Sequence, residues 1–242
     1  MGLEFCRQYA AAGCNVIAAC RRPEQAEQLQ ALAGQYASIE LQALDVADFS
    51  QIEALAAKLA ERRIDVLLNN AGVYGDQSGR GFGKLDYQAW ADTLAINVMA
   101  PVKLAECFLP HLQRSDKPLI ASLSSLMGSM TDNSSGGSIL YRSSKAGLNA
   151  AMKSLAIDLR PRNIGVLILH PGWVRTDMGG PNGLIDVEES VSGMRRLIDR
   201  FDLADSGSFV KYDGSPLRGK RESPPVGEKR YRNNGFRKNG YA

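Results

Sequence analysis

Tyr141 and Lys145 stand four residues apart in Tyr141-Arg142-Ser143-Ser144-Lys145. In a helix that spacing puts a phenol and an ammonium on one face, one turn apart. A cation beside a phenol favours the phenolate and lowers its pKa. Such a tyrosine can give or take a proton near neutral pH. The residues that follow, 146–156, are rich in Ala, Leu and Met with apolar positions at helical spacing, which predicts the helix that the pair requires. Taken alone the pair is a weak signal, and a packed tyrosine beside a solvated lysine is the competing reading.

The elements that must position the pair alternate along the chain. The pattern predicts a helix over 2–13 closed by Gly13, a strand over 15–20, and a helix over 23–33 with Pro23 in its first turn. A strand over 39–44 ends at Asp45. Ser50 is expected to cap a helix running to about Arg62. A strand over 64–68 leads into Asn69-Asn70-Ala71-Gly72. A polar, glycine-rich loop over 74–83 precedes a long helical region through Asn97 to Leu112. Next come a strand over Leu119–Leu123, a Ser/Gly/Asn-rich loop over 124–138, and the Tyr141 helix. A strand over 166–170 ends in Pro171-Gly172; a helix over Val187–Asp199 and a short strand over 208–212 complete the series. This alternation predicts a single α/β domain built as a doubly wound, mostly parallel sheet with helices on both faces. Such sheets bind ligands outside the carboxyl ends of their strands. Arg21, Asp45, Asn70, Ser125 and Pro171 each follow a strand, which gathers them at one edge.

Composition narrows the class. A chain of 242 residues can bury a core without disulfides. Cys6, Cys14, Cys20 and Cys107 are scattered without metal-ligand spacing and read as buried or free thiols of a reducing compartment. With His111 and His170 as the only histidines, no metal site is expected. No run of about 18 apolar residues is present, and the start carries no signal-peptide pattern. The expected location is therefore cytoplasmic, with no membrane partner. The formal net charge is +3, but the segment 218–242 holds eight Lys/Arg against two Glu, and residues 1–217 are mildly acidic. That segment is nearly free of aliphatic residues and is expected to be a disordered basic tail. We read it as a solvated extension in preference to a nucleic-acid arm.

Taken together, these residues resemble the short-chain dehydrogenase/reductase family over residues 2–217. Asn69-Asn70-Ala71-Gly72 after a strand matches its N-N-A-G element. Asn97 matches its catalytic asparagine, Ser125 its catalytic serine, and Tyr141 with Lys145 its Y-x-x-x-K pair. Pro171-Gly172-Trp173-Val174-Arg175-Thr176 matches its P-G-x-x-x-T element. Within the family the chain looks most like the group of C-factor and sniffer-type carbonyl reductases. The resemblance implies a Rossmann-like fold and hydride transfer between a nicotinamide cofactor and a small-molecule carbonyl or alcohol, and it leaves room for a homo-oligomer. Tyr141 would serve as general acid and base, Ser125 would hold the substrate oxygen, Lys145 would lower the tyrosine pKa and bond the nicotinamide ribose, and Asn97 would hold a relay water.

The resemblance also implies a cofactor site. An NAD enzyme carries Asp or Glu at the end of its second strand; Arg21 and Arg22 stand there instead, and a guanidinium pairs with a 2′-phosphate. NADP is therefore expected over NAD. Asp45 and Val46 would flank the adenine, Asn70, Ala71 and Gly72 the middle of the cofactor, and Pro171, Gly172, Val174 and Thr176 its nicotinamide end. Trp173 and the loop over 129–139 would shape the substrate pocket, with a mobile lid starting at Met178. One departure bears on the phosphate end. The family opens with a strand and T-G-x-x-x-G-[IL]-G, of which only Gly2 has a match here. The expectation is a fold that lacks its first strand at an incomplete N-terminus. The alternative function is therefore a catalytically impaired protein of this fold with a signalling or regulatory role.

Overall fold

The structure, a computed structural model, describes residues 1–217. The basic tail predicted over 218–242 lies outside the described residues. Six strands are present among them: β1 (Val16–Cys20), β2 (Ile39–Ala43), β3 (Val66–Asn69), β4 (Leu119–Leu123), β5 (Gly165–His170) and β6 (Ser208–Lys211). Every strand pairing is parallel. The helices are α1 (Gly2–Ala11), α2 (Glu27–Gln35), α3 (Phe49–Lys58), α4 (Tyr87–Leu94), α5 (Ala100–Cys107), α6 (Leu109–Leu112), α7 (Ile139–Asp158) and α8 (Val187–Asp199).

The central strands show why the fold forms. β4 is buried along its whole length, and successive side chains of a strand point to opposite faces. Leu119, Ala121 and Leu123 therefore pack with Phe5 of α1 and Val191, Met194 and Ile198 of α8. Ile120 faces the other way, onto Leu148, Met152 and Ala156 of α7 and Leu112 of α6. β5 repeats the alternation, with Leu167 and Leu169 on the first face and Val166 and Ile168 on the second. A strand clothed on both faces needs a continuous apolar run, and both strands have one.

The sheet is divided where the expected first strand is lacking. It falls into a two-stranded part, β1-β2, and a four-stranded part, β3-β4-β5-β6. Among the described residues no strand joins β1 to β3, so each presents an unpaired edge. Side chains bridge the division instead: Ile17 of β1 and Leu67 of β3 both pack on a cluster formed by α3, α5 and their flanks, including Ile52, Leu55 and Leu104.

Local boundaries differ from expectation for identifiable reasons. The helix expected over 23–33 is interrupted at Ala26, where a 3₁₀ turn over Pro23–Gln25 gives way to α2. Asp48, not Ser50, caps α3: its carboxylate accepts the Ser50 N–H at 3.0 Å. That helix stops at Lys58, short of Arg62. The long helical region through Asn97 contains one turn of π-helix, Ala95–Met99, between α4 and α5. Single π turns of this kind are frequent at functional sites.

The edges of β1 and β3 have a measurable consequence, because an N–H without a ladder partner exchanges with solvent from the native state. In native-state hydrogen exchange, alternate amides of β3 should exchange at least about tenfold faster than those of β4 and β5. Uniform protection through Val66–Asn69 would show that the edge is covered in solution.

Candidate active site

Tyr141 and Lys145 lie in the first two turns of α7 and are both buried, at 8% and 4% exposure. The Lys145 Nζ donates to the Leu123 carbonyl at 2.9 Å, at the end of β4. It also stands 5.7 Å from the centroid of the Tyr141 ring. Burial pushes the Lys145 ammonium down to about 8. Burial pushes the Tyr141 phenol up, while the nearby Ser125 hydroxyl pulls it back down. The lowering of Tyr141 by Lys145 that the spacing predicts is therefore not the state of the free protein. The ammonium is turned toward a backbone carbonyl, and desolvation of the ring dominates.

Ser125 is placed near α7 by the turn that follows it. Its Oγ accepts the Met127 N–H at 3.1 Å and starts a 3₁₀ turn, Leu126–Gly128. Gly128 presses this turn against α7: a Cβ there would lie 2.7 Å from the backbone carbon of Lys145. No larger residue would let the Ser125 loop approach the helix so closely. The next amide, Leu126 N–H, donates to Nδ1 of His170 at the end of β5, at 3.3 Å. An accepting Nδ1 requires a neutral ring carrying its proton on Nε2.

Asn97 sits in the π turn and is fully buried. Its Oδ1 accepts the Val73 N–H at 2.9 Å, and its Nδ2 donates to the Val73 carbonyl at 2.8 Å and to Ser144 Oγ at 2.9 Å. Both Nδ2 hydrogens and one lone pair of Oδ1 are thus engaged. Gly72 lies between the two groups, since a Cβ on it would stand 3.3 Å from Asn97 Oδ1 and 3.4 Å from Lys145 Nζ.

The segment after Gly72 holds residues that the sequence pattern did not single out. Tyr74 lies against Tyr141 with centroids 4.8 Å apart and ring planes tilted by 32°, and its hydroxyl is 2.7 Å from Ser138 Oγ. Asp76 accepts the Leu140 N–H at 3.1 Å and the Tyr141 N–H at 2.8 Å. Ser138, the residue before α7, makes no side-chain cap and has φ of 46°. Asp76, 64 residues upstream, takes over the capping. Sequence read locally offers no signal for a cap so distant.

The expected cofactor residues lie at the carboxyl edge. Arg21 and Arg22 are exposed just after β1, and Arg22 reaches Gln25 Oε1 at 3.3 Å. Asp45 folds its Oδ1 back onto the Ala47 N–H, and Val46 packs toward the α3–α5 cluster. Asn70 and Ala71 are exposed past β3, and Gly2 at the start of α1 abuts Asn70, so that a Cβ there would stand 2.8 Å from its Nδ2. Pro171 and Gly172 follow β5, and Gly172 has φ of 85°. Val174 is buried, and its backbone bridges Ile185. Thr176 Oγ1 accepts the Gly179 N–H at 3.0 Å. Trp173 is half-exposed and donates from Nε1 to the Gly179 carbonyl at 2.7 Å. Among the described residues no cluster of His, Cys, Asp and Glu could hold a metal, and no helix is long and apolar enough to cross a membrane.

A doubly wound parallel fold with a phenol, an ammonium and a hydroxyl gathered at its strand ends defines an oxidoreductase of Rossmann type. The chain belongs to the short chain dehydrogenase family, whose model matches residues 1–183. It is 41% identical over 166 residues to the C-signal of Myxococcus xanthus, covering 69% of this chain and 99% of that protein. Among solved structures it is similar to carbonyl reductase Sniffer of D. melanogaster, with TM-score 0.81 and 34% identity over 89% of this chain and 93% of that one. It is also similar to an NADPH-bound carbonyl reductase from chicken fatty liver, with TM-score 0.77 and 32% identity over 83% and 86% of the two chains.

The neutral His170 ring makes the site sensitive to acid. Burial, aided by the Lys211 cation and opposed by Asp213 and Asp132, pushes it down to about 4. Below pH 6.5 the unfolded chain binds a proton that the folded chain refuses until about pH 4. Stability should therefore fall as pH drops through that window, by up to about 3 kcal/mol from this residue. Urea unfolding of His170→Asn should show a correspondingly flatter pH dependence than the parent; equal slopes would contradict the assignment.

Proposed function

We propose that the chain is an NADP-dependent carbonyl reductase, interconverting a small-molecule carbonyl and its alcohol. The observation that carries this reading is the placement of Tyr141 and the buried Lys145 one turn apart on α7, against the turn that Ser125 starts. In the reducing direction Tyr141 donates its proton to the carbonyl oxygen. Ser125 holds that oxygen by a hydrogen bond, which strengthens as negative charge develops there. Lys145, whose ammonium is held down to about 8 by burial, keeps a positive charge near the phenol and stabilises the tyrosinate left after transfer. Asn97 fixes the main chain at Val73 beside the lysine.

When bound, the nicotinamide supplies the hydride. The residues present fit such a cofactor. Gly72 is a cradle that a Cβ would fill, within 3.4 Å of both Asn97 and Lys145. Asn70 and Ala71 leave the strand end open. Arg21 and Arg22, exposed and without a carboxylate between them, suit a 2′-phosphate, and the bound NADPH of the chicken enzyme supports the choice. The backbone of 171–176 would line the nicotinamide end. Trp173 would form one wall of the substrate pocket, and the turn at 178–181, tied to Trp173 through Gly179, would close over it.

Titration of NADPH, followed by nicotinamide fluorescence, tests the cofactor assignment. NADPH should bind about 10- to 100-fold more tightly than NADH, and Arg21→Ala should erase most of that preference. Turnover of a panel of aldehydes and ketones tests the chemistry: Tyr141→Phe should lower kcat about 10²- to 10⁴-fold with little change in NADPH affinity. Absence of NADPH binding would end this reading. Binding without turnover would favour the signalling or regulatory alternative.

A further inference from the structure

We propose that residues 73–76 form a brace that sets the position of Tyr141, and that Asp76 is a positioning residue for proton transfer. The inference rests on the oxidoreductase reading of the same site. The brace has three anchor points. Asn97 closes a two-bond ring on the Val73 main chain, gripping its N–H at 2.9 Å and its carbonyl at 2.8 Å. Gly75, with φ of 79°, turns the chain against α4, where an added Cβ would come within 2.1 Å of Thr93 Oγ1. Asp76 then takes two of the free N–H groups in the first turn of α7, those of Leu140 and of Tyr141 itself.

The geometry concerns the catalytic residue alone. The first N–H groups of a helix have no partner within it and must find one outside. Here the helix cannot supply its own cap, because Ser138 has a left-handed backbone and no capping bond. The start of α7 is held from another part of the fold, through a carboxylate bonded to the residue that carries the phenol. Tyr74, between the anchors, lies against the Tyr141 ring and ties its own hydroxyl to Ser138, so the ring is fixed from the side as well. Lys145, one turn further on, is held independently by Leu123. Loss of Asp76 should therefore disturb the phenol and leave the lysine and the strand ends in place.

This separation gives the test. Asp76→Ala should lower kcat about 10- to 100-fold, the scale expected for a reacting group misplaced by about an ångström. The Kd for NADPH should stay within about twofold and the melting temperature within a few degrees of the parent, because first-turn caps contribute modestly to stability. Asp76→Asn keeps one acceptor oxygen and should recover part of the loss, giving the order Asp, Asn, Ala in kcat. Gly75→Ala, which pushes the brace from Thr93, should act in the same direction. A second readout is independent of turnover. In protein labelled with 3-fluorotyrosine, the ¹⁹F resonance that vanishes in Tyr141→Phe should shift or broaden in Asp76→Ala and return toward its parent position in Asp76→Asn.

A kcat for Asp76→Ala within twofold of the parent would overturn the proposal, as would a fall in kcat only in proportion to the folded fraction. If the parent turns over no carbonyl, the oxidoreductase reading fails, and the Tyr141 resonance alone decides: unchanged in Asp76→Ala, it overturns the brace; shifted, it supports it.

Discussion

A buried ammonium sets the terms for the site. Lys145 is 4% exposed, and the Leu123 carbonyl is its one hydrogen-bond partner among the described residues. Removing a charge from water is costly unless fixed dipoles replace it, and the fall of its pKa to about 8 is the measure of that cost here. The surroundings answer the demand. The end of β4 offers a carbonyl, Gly72 leaves the space next to Nζ clear, and Asn97 Oδ1 lies just beyond Gly72. The lysine is thereby pinned to a strand end, one turn beyond Tyr141, whose own position is set from residues 73–76.

The parallel sheet converts this local requirement into a site. All paired strands run in one direction, so their carboxyl ends share an edge. β3 delivers Asn70 to Gly72, β4 delivers Leu123 and Ser125, and β5 delivers His170 and Pro171. Adjacent loops are then stitched to each other: the Leu126 N–H to His170, Gly128 to the backbone of α7, and Val73 to Asn97. Tyr141, Ser125 and Lys145 rest on the four-stranded part of the sheet. Arg21, Arg22 and Asp45 follow β1 and β2, in the two-stranded part, whose link to β3 among the described residues is by side-chain packing.

Much of this was legible because it depends on local pattern. Apolar runs with helical segments between them marked β4, β5, α7 and α8, and the strand-end positions of Asn70, Ser125 and Pro171 followed directly. What stayed hidden depends on contacts distant in sequence. Asp76 looks like any acidic residue in a polar loop, and only the packing of that loop across the start of α7 makes it a cap. His170 reads as the last residue of a strand until the Leu126 amide is seen to need an acceptor. The raised phenol of Tyr141 follows from burial, which spacing does not report: four residues in a helix place Lys145 on the right face but do not decide which acceptor its ammonium meets. The division of the sheet was legible for another reason: the opening strand and most of its glycine motif have no match in the sequence, and β1 and β3 are left without a strand between them.

The central claim is that Tyr141, Ser125 and Lys145 form one end of a hydride-transfer site. The most direct measurement supplies NADPH deuterated at C4 with a carbonyl substrate and locates the label in the product by mass spectrometry. The account predicts deuterium on the former carbonyl carbon of the alcohol, formed by the parent protein and lost in step with its removal. Cofactor bound but no deuterium in any alcohol product would contradict it.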